Sequence, residues 1–238
     1  MIDAVVHEIT MRWADLDRLN HVNNVVYVGY AAEARAMLGP GVADATVRSS
    51  TVRYLRPLQL STKPVVVVST LDGPTLTQRI HSAEAPEHVV AEVVTELGDL
   101  RPIKPHSGSG PALAMSTRRS DLDSCGDVVL AKLFELFQET RILHISTATD
   151  RFASGGFVVG TVSVEQARPV TGRPEPYDAH AWFSRVGAGS ITIDSELADG
   201  ATVLARSSTV LVGFDMQEQR SRRLGDDERA VFEALVSP

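Results

Sequence analysis

The chain of 238 residues is poor in cysteine and in long apolar runs, and each shortage excludes a class of protein. Its single cysteine, Cys125, excludes an intramolecular disulfide and fits a reducing compartment. Residues 65–68 are among the longest apolar runs, whereas a membrane-spanning helix needs about 20 residues. The N-terminus has no basic segment followed by an apolar one. The sequence therefore predicts no signal peptide, no membrane insertion and a cytoplasmic location.

Positive charge is also scarce, because 23 lysines and arginines face 30 aspartates and glutamates, for a net charge of −7. No basic stripe appears, so we expect no nucleic-acid partner. The seven histidines show no H-x-x-x-H spacing and no C-x-x-C motif exists, which predicts no metal site. The lack of a G-x-S-x-G elbow argues against a serine hydrolase.

One polar stretch, RWADLDRLNHVNN at residues 12–24, has an unusual composition. Residues 15–24 include two aspartates, one histidine and three asparagines, more than an ordinary turn requires. An apolar helical pattern follows, and asparagine or aspartate before such a pattern marks a helix N-terminus. Asp17 is therefore expected beside unpaired N–H groups, where negative charge is favoured and an oxyanion could also be held. The alternative is that Asp17 only caps the helix.

The elements around this loop predict an α+β fold. A strand over residues 3–14 leads into the loop, and a helix over residues 22–38 ends at Gly39-Pro40-Gly41. Four β-rich segments then follow between proline, glycine and aspartate residues, at residues 51–55, 64–70, 76–80 and 88–94. This order predicts an antiparallel sheet with a helix on one face.

The pattern then repeats, which predicts a duplicated domain. A linker over residues 105–112 separates a first unit, 1–104, from a second, 113–238, with a helix over 128–137 and strands at 156–162, 179–186, 190–197 and 202–213. A constant offset of 106 relates seven identical pairs in the window 12–35. The first members of these pairs are Arg12, Asp15, Leu16, Asp17, Val22, Glu33 and Arg35, and their partners include Asp121, Asp123, Glu139 and Arg141.

The polar loop resembles that of the hotdog-fold acyl-CoA thioesterases of the 4-hydroxybenzoyl-CoA type. Plant acyl-ACP thioesterases are similar over W-x-D-L-D and H-V-N-N. The matching positions are Trp13, Asp15, Asp17, His21, Val22, Asn23, Asn24 and Tyr27, with Asn20 where that family usually has glycine. The second half is similar to the same family over W-x-x-R-V-G-x-x-S, at residues 182–190. The resemblance implies a double hotdog, two helix-on-sheet units fused in one chain.

The resemblance also implies a site. Asp17 corresponds to the catalytic carboxylate, and the backbone N–H of Asn24 to the donor that polarises the thioester carbonyl. A carboxylate can attack that carbonyl directly or activate water, and the sequence leaves the choice open. The resembled hairpin places Arg185, Gly187 and Ser190 along the pantetheine slot as substrate-binding residues.

Several neighbours of Asp17 allow more than one interpretation. Asp15 is expected to hold the loop through backbone N–H groups. His21 is a candidate catalytic residue that orients water or Asp17, but it could equally pack at the helix start. Asn23 is expected to act as a cap rather than as a ligand, and the same applies to the Asn24 side chain.

Asp123 in the second repeat is a second candidate site, which we expect to contribute less. The polar segment NHVNN of the first repeat corresponds to GDVVL in the second. The arginines Arg220, Arg222 and Arg223 are candidates for binding the phosphates of coenzyme A, or a solvated cluster. Glu33 and Arg35, with their repeats, are expected to be structural.

The function predicted from these features is hydrolysis of acyl-CoA or acyl-ACP thioesters. No cofactor is expected, since coenzyme A would be part of the substrate. The alternative is a non-catalytic hotdog protein that binds acyl thioesters. A hydratase is disfavoured because no D-x-N-P-x-H motif occurs. Association of double-hotdog units into a homo-oligomer remains open, as does the acyl chain.

Overall fold

The structure, a computed structural model, describes residues 2–17, 20–106, 111–148 and 156–236. It divides into two compact units, Met1–Leu100 and Arg101–Pro238. The linker predicted at 105–112 lies partly outside the described residues, since 107–110 are not among them.

The first unit is one antiparallel sheet with a helix against it. Its strands are β1 Ile2–Ile9, β2 Val47–Tyr54, β3 Val65–Asp72, β4 Thr75–Ser82 and β5 Ala85–Leu97. They lie side by side in the order β1-β3-β4-β5-β2, and each neighbouring pair is antiparallel. The helices are α1 Val26–Ala36 and the short α2 Pro40–Ala43.

The second unit has the same plan, with a shorter first strand and longer strands and helix after it. Its strands are β6 Leu113–Met115, β7 Phe157–Gln166, β8 Tyr177–Val186, β9 Ser190–Asp199, β10 Thr202–Asp215 and β11 Arg220–Ser221, and its helices are α3 Leu130–Ala148 and α4 Asp226–Leu235. The main strands follow the order β6-β8-β9-β10-β7, with β11 paired to β10. Strand for strand, this is the order of the first unit. The predicted α+β class is therefore confirmed.

Alternation of apolar and polar residues explains why these segments form half-buried strands. In the first unit Val65 and Val67 of β3, with Leu76 and Ile80 of β4, are fully buried. Buried residues of α1 include Val28 and share this core. Gln78 of β4, also buried, donates to the Ala31 carbonyl of α1 at 2.8 Å. This bond fixes the helix to one face of the sheet.

The second core is extended by elements that the sequence pattern did not predict. Helix α3 continues to Ala148 rather than ending near residue 137, because its last turns mix polar residues with Ile145 and Ala148, which pack on the sheet. Phe232 of α4 is fully buried against Phe183 of β8 and Ile193 of β9. Strands β6 and β11 were also not predicted.

Two further details concern the predicted elements. Helix α1 ends at Ala36, shortly before the predicted stop at Gly39, which has a φ of 92°. Pro40 then begins the short helix α2, which the sequence pattern did not predict. No helix within the described ranges is long and apolar enough to cross a membrane.

Candidate active site

Asp17 lies in a closed loop between the strand β1 and the helix α1. Its backbone N–H donates to the His21 carbonyl at 2.7 Å, and its Oδ1 accepts the His21 N–H at 3.1 Å. Asn20 spans the return with a φ of 61°, a left-handed conformation that asparagine tolerates. The family's glycine position is thus filled by a residue able to adopt the required backbone. The half-buried Asp17 is held at a fixed place in the loop.

Asp15 has the structural role predicted for it. Its Oδ2 accepts the backbone N–H of Arg12 at 2.7 Å, and its carbonyl accepts the N–H of Asn23 at 2.8 Å. The same Oδ2 accepts the Tyr30 hydroxyl at 2.7 Å, a contact that the sequence pattern did not indicate. Asp15 therefore joins the two ends of the loop through its carboxylate and its carbonyl, and its carboxylate also binds α1.

The helix start is organised by Asn23 rather than by Asp17. Val25 is the N-cap of α1, and its N–H donates to Asn23 Oδ1 at 3.3 Å. Asn23 also accepts the Val26 N–H on its carbonyl at 2.9 Å. Val25 itself forms no side-chain cap bond, so Asn23 lies beside the helix start but is not its N-cap. The alternative that Asp17 only caps the helix is wrong, because its carboxylate binds the N–H of His21 within the loop.

The N–H of Asn24, the predicted donor to the substrate carbonyl, meets no acceptor among the residues that the structure describes. The imidazole of His21 likewise makes no hydrogen bond within the described ranges, although its backbone binds Asp17. The structure thus brings Asp17, His21 and Asn24 together in one loop. The backbone of His21, and not its imidazole, forms the hydrogen bonds with Asp17.

Three tyrosines surround the loop, and only Tyr27 belonged to the motif. Tyr27 packs edge-on against Tyr30 and against Tyr54, with ring centroids 6.4 and 5.6 Å apart. Burial raises the pKa of the Tyr27 phenol, and the negative charge of Asp17 raises it further. Burial and the hydrogen bond to Asp15 raise the pKa of Tyr30. Both phenols remain protonated at neutral pH and can donate hydrogen bonds.

The second unit repeats the backbone of this loop around Asp123. The N–H of Asp123 donates to the Asp127 carbonyl at 2.8 Å, and the Asp127 N–H donates to Asp123 Oδ1 at 3.0 Å. Gly126, with a φ of 87°, occupies the position of Asn20. Both loops thus have the same D-L-D segment and the same pair of backbone hydrogen bonds.

The side chains around the two loops differ. The offset of 106 places Leu133 and Leu136 where the first unit has Tyr27 and Tyr30. Tyr54 is the last residue of β2, and Gln166 is the last residue of β7. In each unit the N–H groups of the next two residues donate to a single carbonyl oxygen, so Tyr54 and Gln166 occupy equivalent positions. The second loop therefore lacks the phenols that bind the first.

The predicted substrate-binding residues Arg185, Gly187 and Ser190 lie on the β8–β9 hairpin of the second unit. Gly187 donates its N–H to the Ser190 carbonyl at 2.7 Å, and Arg185 is exposed. A Cβ on Gly187 would lie 2.7 Å from Ser190 Oγ, so a side chain at this position would displace the Ser190 hydroxyl. Arg229 donates to the Gly187 carbonyl at 3.0 Å, a contact that spacing alone could not indicate.

The three arginines considered for phosphate binding, Arg220, Arg222 and Arg223, differ in whether a carboxylate lies beside them. Arg222 forms two hydrogen bonds with Glu228, of 2.7 and 2.9 Å, and Arg220 lies 3.8 Å from Glu218. Arg223 is exposed. The pairing with Glu228 raises the pKa of Arg222 and engages its guanidinium group. Arg223 is therefore the better candidate for binding a phosphate.

Groups of three or more histidine, cysteine, aspartate or glutamate residues close enough to hold a metal ion are absent from the described ranges.

Comparison with known proteins agrees with the resemblance that the polar loop indicates. The family model of the acyl-ACP thioesterase C-terminal domain matches residues 2–90. A protein from Lactobacillus plantarum, described provisionally as an oleoyl thioesterase, superposes with a TM-score of 0.66 at 13% identity, covering 89% of this chain and 96% of its own. The 12:0-ACP thioesterase from Umbellularia californica superposes with a TM-score of 0.62 at 12% identity, covering 92% and 94%.

The chain resembles the hotdog-fold thioesterases. The resemblance predicted from the polar loop is thereby confirmed, and the structural likenesses establish the fold. An acyl-ACP thioesterase from Bacteroides thetaiotaomicron is a further structural relative, with a TM-score of 0.61 at 9% identity and coverage of 87% and 97%. No curated protein sequence matches the chain.

The position of the family match is informative. The matched family describes a C-terminal domain, yet it matches the N-terminal unit here, the one that includes Asp17. By the same measure the second unit, with Asp123, lies outside the match. The half of this chain that preserves the polar loop is therefore also the half that the family model identifies.

Proposed function

We propose that this protein is a thioesterase that hydrolyses acyl-CoA or acyl-ACP to the free acid and the thiol. The observation that carries the proposal is the pairing, in one loop, of the fixed Asp17 carboxylate with the available N–H of Asn24. A thioester carbonyl needs a nucleophile or base on one side and a hydrogen-bond donor for the developing oxyanion on the other.

The proposed reaction uses these groups in two ways. As general base, Asp17 takes a proton from water, whose oxygen bonds to the acyl carbon while the C–S bond breaks and the thiolate leaves. As nucleophile, it bonds to the acyl carbon itself while the C–S bond breaks and the thiolate leaves, and water then cleaves the anhydride to release the acid and restore the Asp17 carboxylate. In either route the N–H of Asn24 donates to the carbonyl oxygen as it gains negative charge. The released thiolate takes up the remaining proton.

The proposal extends to the architecture. The equal strand order of the two units, with one long helix against each sheet, supports a double hotdog made by duplication. The two loops support one main site, built on Asp17, because the second loop presents Val129 and Leu130 where the first has Asn23 and Asn24. Arg185, Gly187 and Ser190 are proposed to contact the pantetheine arm.

The experiment that tests this function measures thiol release. The purified chain is incubated with a panel of acyl-CoAs and acyl-ACPs of different chain length, and free thiol is measured continuously. Release above the rate of spontaneous hydrolysis supports a thioesterase, and comparison of the carriers identifies the preferred one. Tight binding of acyl thioesters without release would instead support the non-catalytic binding protein, and neither binding nor release would overturn both.

A further inference from the structure

Tyr54 contacts the candidate oxyanion donor from a distant part of the sequence. It ends strand β2, and its hydroxyl donates to the backbone carbonyl of Asn24 at 2.8 Å. Its ring packs edge-on against Tyr27, which is buried, with an interplanar angle of 76°. The aromatic contact and the hydrogen bond together fix where the phenol lies.

Both peptide groups next to the Asn24 Cα are held by the protein. The carbonyl of the preceding peptide, that of Asn23, accepts the Val26 N–H at 2.9 Å. In the following peptide, Tyr54 binds the carbonyl at 2.8 Å and Asn23 Oδ1 binds the Val25 N–H at 3.3 Å. The N–H of Asn24 is thus the one group of these two peptides without an acceptor in the described chain.

One of these three bonds has a described counterpart in the second unit. The N–H of Lys132 donates to the Val129 carbonyl at 2.9 Å, as Val26 does to Asn23. Val129 has no side-chain oxygen to replace Asn23 Oδ1, and Gln166 replaces Tyr54. A side-chain oxygen bound to this peptide, as in Asn23, therefore belongs to the unit with the candidate site.

We propose that Tyr54 is a positioning residue, which orients the N–H of Asn24 toward the substrate carbonyl by holding the following peptide. This inference rests on the proposed thioesterase function. A preorganised donor stabilises the developing oxyanion because it needs no rearrangement as charge develops. Loss of the Tyr54 hydroxyl should allow the peptide to rotate, which would weaken stabilisation of the transition state more than binding of the substrate.

The test compares Tyr54→Phe with the wild-type chain on the acyl thioester that the wild type hydrolyses fastest. We expect kcat to fall about 10- to 100-fold while KM changes less than about twofold. The pH dependence of kcat should keep its shape, since the carboxylate of Asp17 is unchanged. A wild-type kcat, or a fall in kcat matched by an equal rise in KM, would overturn the proposal.

A matched control is available in the second unit. Tyr177 is buried, and its hydroxyl donates to the Thr171 carbonyl at 2.7 Å, so Tyr177→Phe removes a similar phenol-to-carbonyl bond. We expect this variant to retain the wild-type kcat. An equal loss in both variants would show that any lost phenol slows the enzyme by loosening the fold, and the positioning role would be wrong.

Amide hydrogen exchange tests the same inference without activity. The N–H of Val25 lies in the peptide that Tyr54 holds, so its exchange should be several-fold faster in Tyr54→Phe. If the wild type hydrolyses no thioester, the proposed function fails, and this measurement still decides whether Tyr54 fixes the peptide. Should Tyr54→Phe fold poorly, Asn23→Ala removes the other bond to that peptide. It should also speed Val25 exchange, and unchanged exchange would contradict the proposal.

Discussion

The hydroxyl of Tyr30 donates a 2.7 Å hydrogen bond to Oδ2 of Asp15, the same oxygen that accepts the N–H of Arg12. Because Tyr30 is buried in α1, this bond ties the helix to the beginning of the candidate catalytic loop. The corresponding residue of the second unit, Leu136, has no group that could form it.

Replacement of Tyr30 by phenylalanine should lower the free energy of unfolding by about 1–2 kcal/mol, because a hydrogen bond to a charged group is lost. Chemical denaturation measures the change. In an Asp15→Asn background the same replacement should cost much less, since the charged acceptor is gone. Equal costs in the two backgrounds would mean that Tyr30 stabilises the fold by packing alone.

The raised pKa values of Tyr27 and Tyr30 predict a loss of stability in alkali. The unfolded chain releases these phenol protons near the ordinary pKa of 10.0, whereas the folded chain retains them. Their contribution is therefore fully present below pH 10 and declines as the pH rises above it. Denaturation between pH 8 and about 11 should show this decline, and Tyr27→Phe should reduce its slope. An unchanged slope in that variant would contradict the assignment.

Burial of His144 predicts a weaker fold in acid. Its Nε2 is buried without a hydrogen-bond partner in the described part of the chain, and burial lowers the pKa of the imidazole from 6.5. As the pH falls below about 6.5, the unfolded chain takes up a proton that the folded chain does not, so stability is lost. His144→Leu should lose less melting temperature between pH 7.5 and 5.5 than the wild type. An equal or larger loss would show that other groups control acid unfolding.

The strands, the two long helices and the loop could be predicted from sequence because their signals are local. Period-two alternation marks the strands, and the polar residues at 12–24 stand out against it. Asp15 is expected to hold the loop through backbone N–H groups, and in the structure it accepts the N–H of Arg12. The second unit could be predicted as well, because the repeat at an offset of 106 is visible in the sequence alone.

The remaining features depend on contacts between distant residues. Tyr54 and Asn24 are 30 positions apart, and no spacing rule joins a strand end to a loop carbonyl. The sequence predicts Asp17 beside the first N–H groups of the helix because the apolar pattern begins at residue 22, whereas α1 begins at Val26. The four intervening residues place Asn23, rather than Asp17, next to the helix start. The sequence pattern does not predict α4, because its first turn is charged and only one of its residues, Phe232, is deeply buried.

That residue gives a direct test of the second core. Phe232 is fully buried among Phe183, Ile193 and Leu224, so Phe232→Ala should lower the free energy of unfolding by about 3–5 kcal/mol. The control is Met216→Ala, at a side chain that is 41% exposed, which should change stability by less than about 0.5 kcal/mol. A small effect at Phe232 would mean that α4 packs loosely on the sheet.

The central claim is that the Asp17 loop performs the chemistry, and the two aspartates provide a matched pair for testing it. Asp17 and Asp123 accept equivalent backbone N–H bonds, of 3.1 and 3.0 Å, which the Oδ1 of asparagine can also accept. Each is therefore replaced by asparagine in the full chain, melting temperature is measured, and kcat is determined by thiol release. We expect Asp17→Asn to lower kcat by about 100- to 10,000-fold with normal melting, and Asp123→Asn to change kcat only a few-fold. Wild-type turnover by a normally melting Asp17→Asn variant, or equal losses in both, would contradict this account.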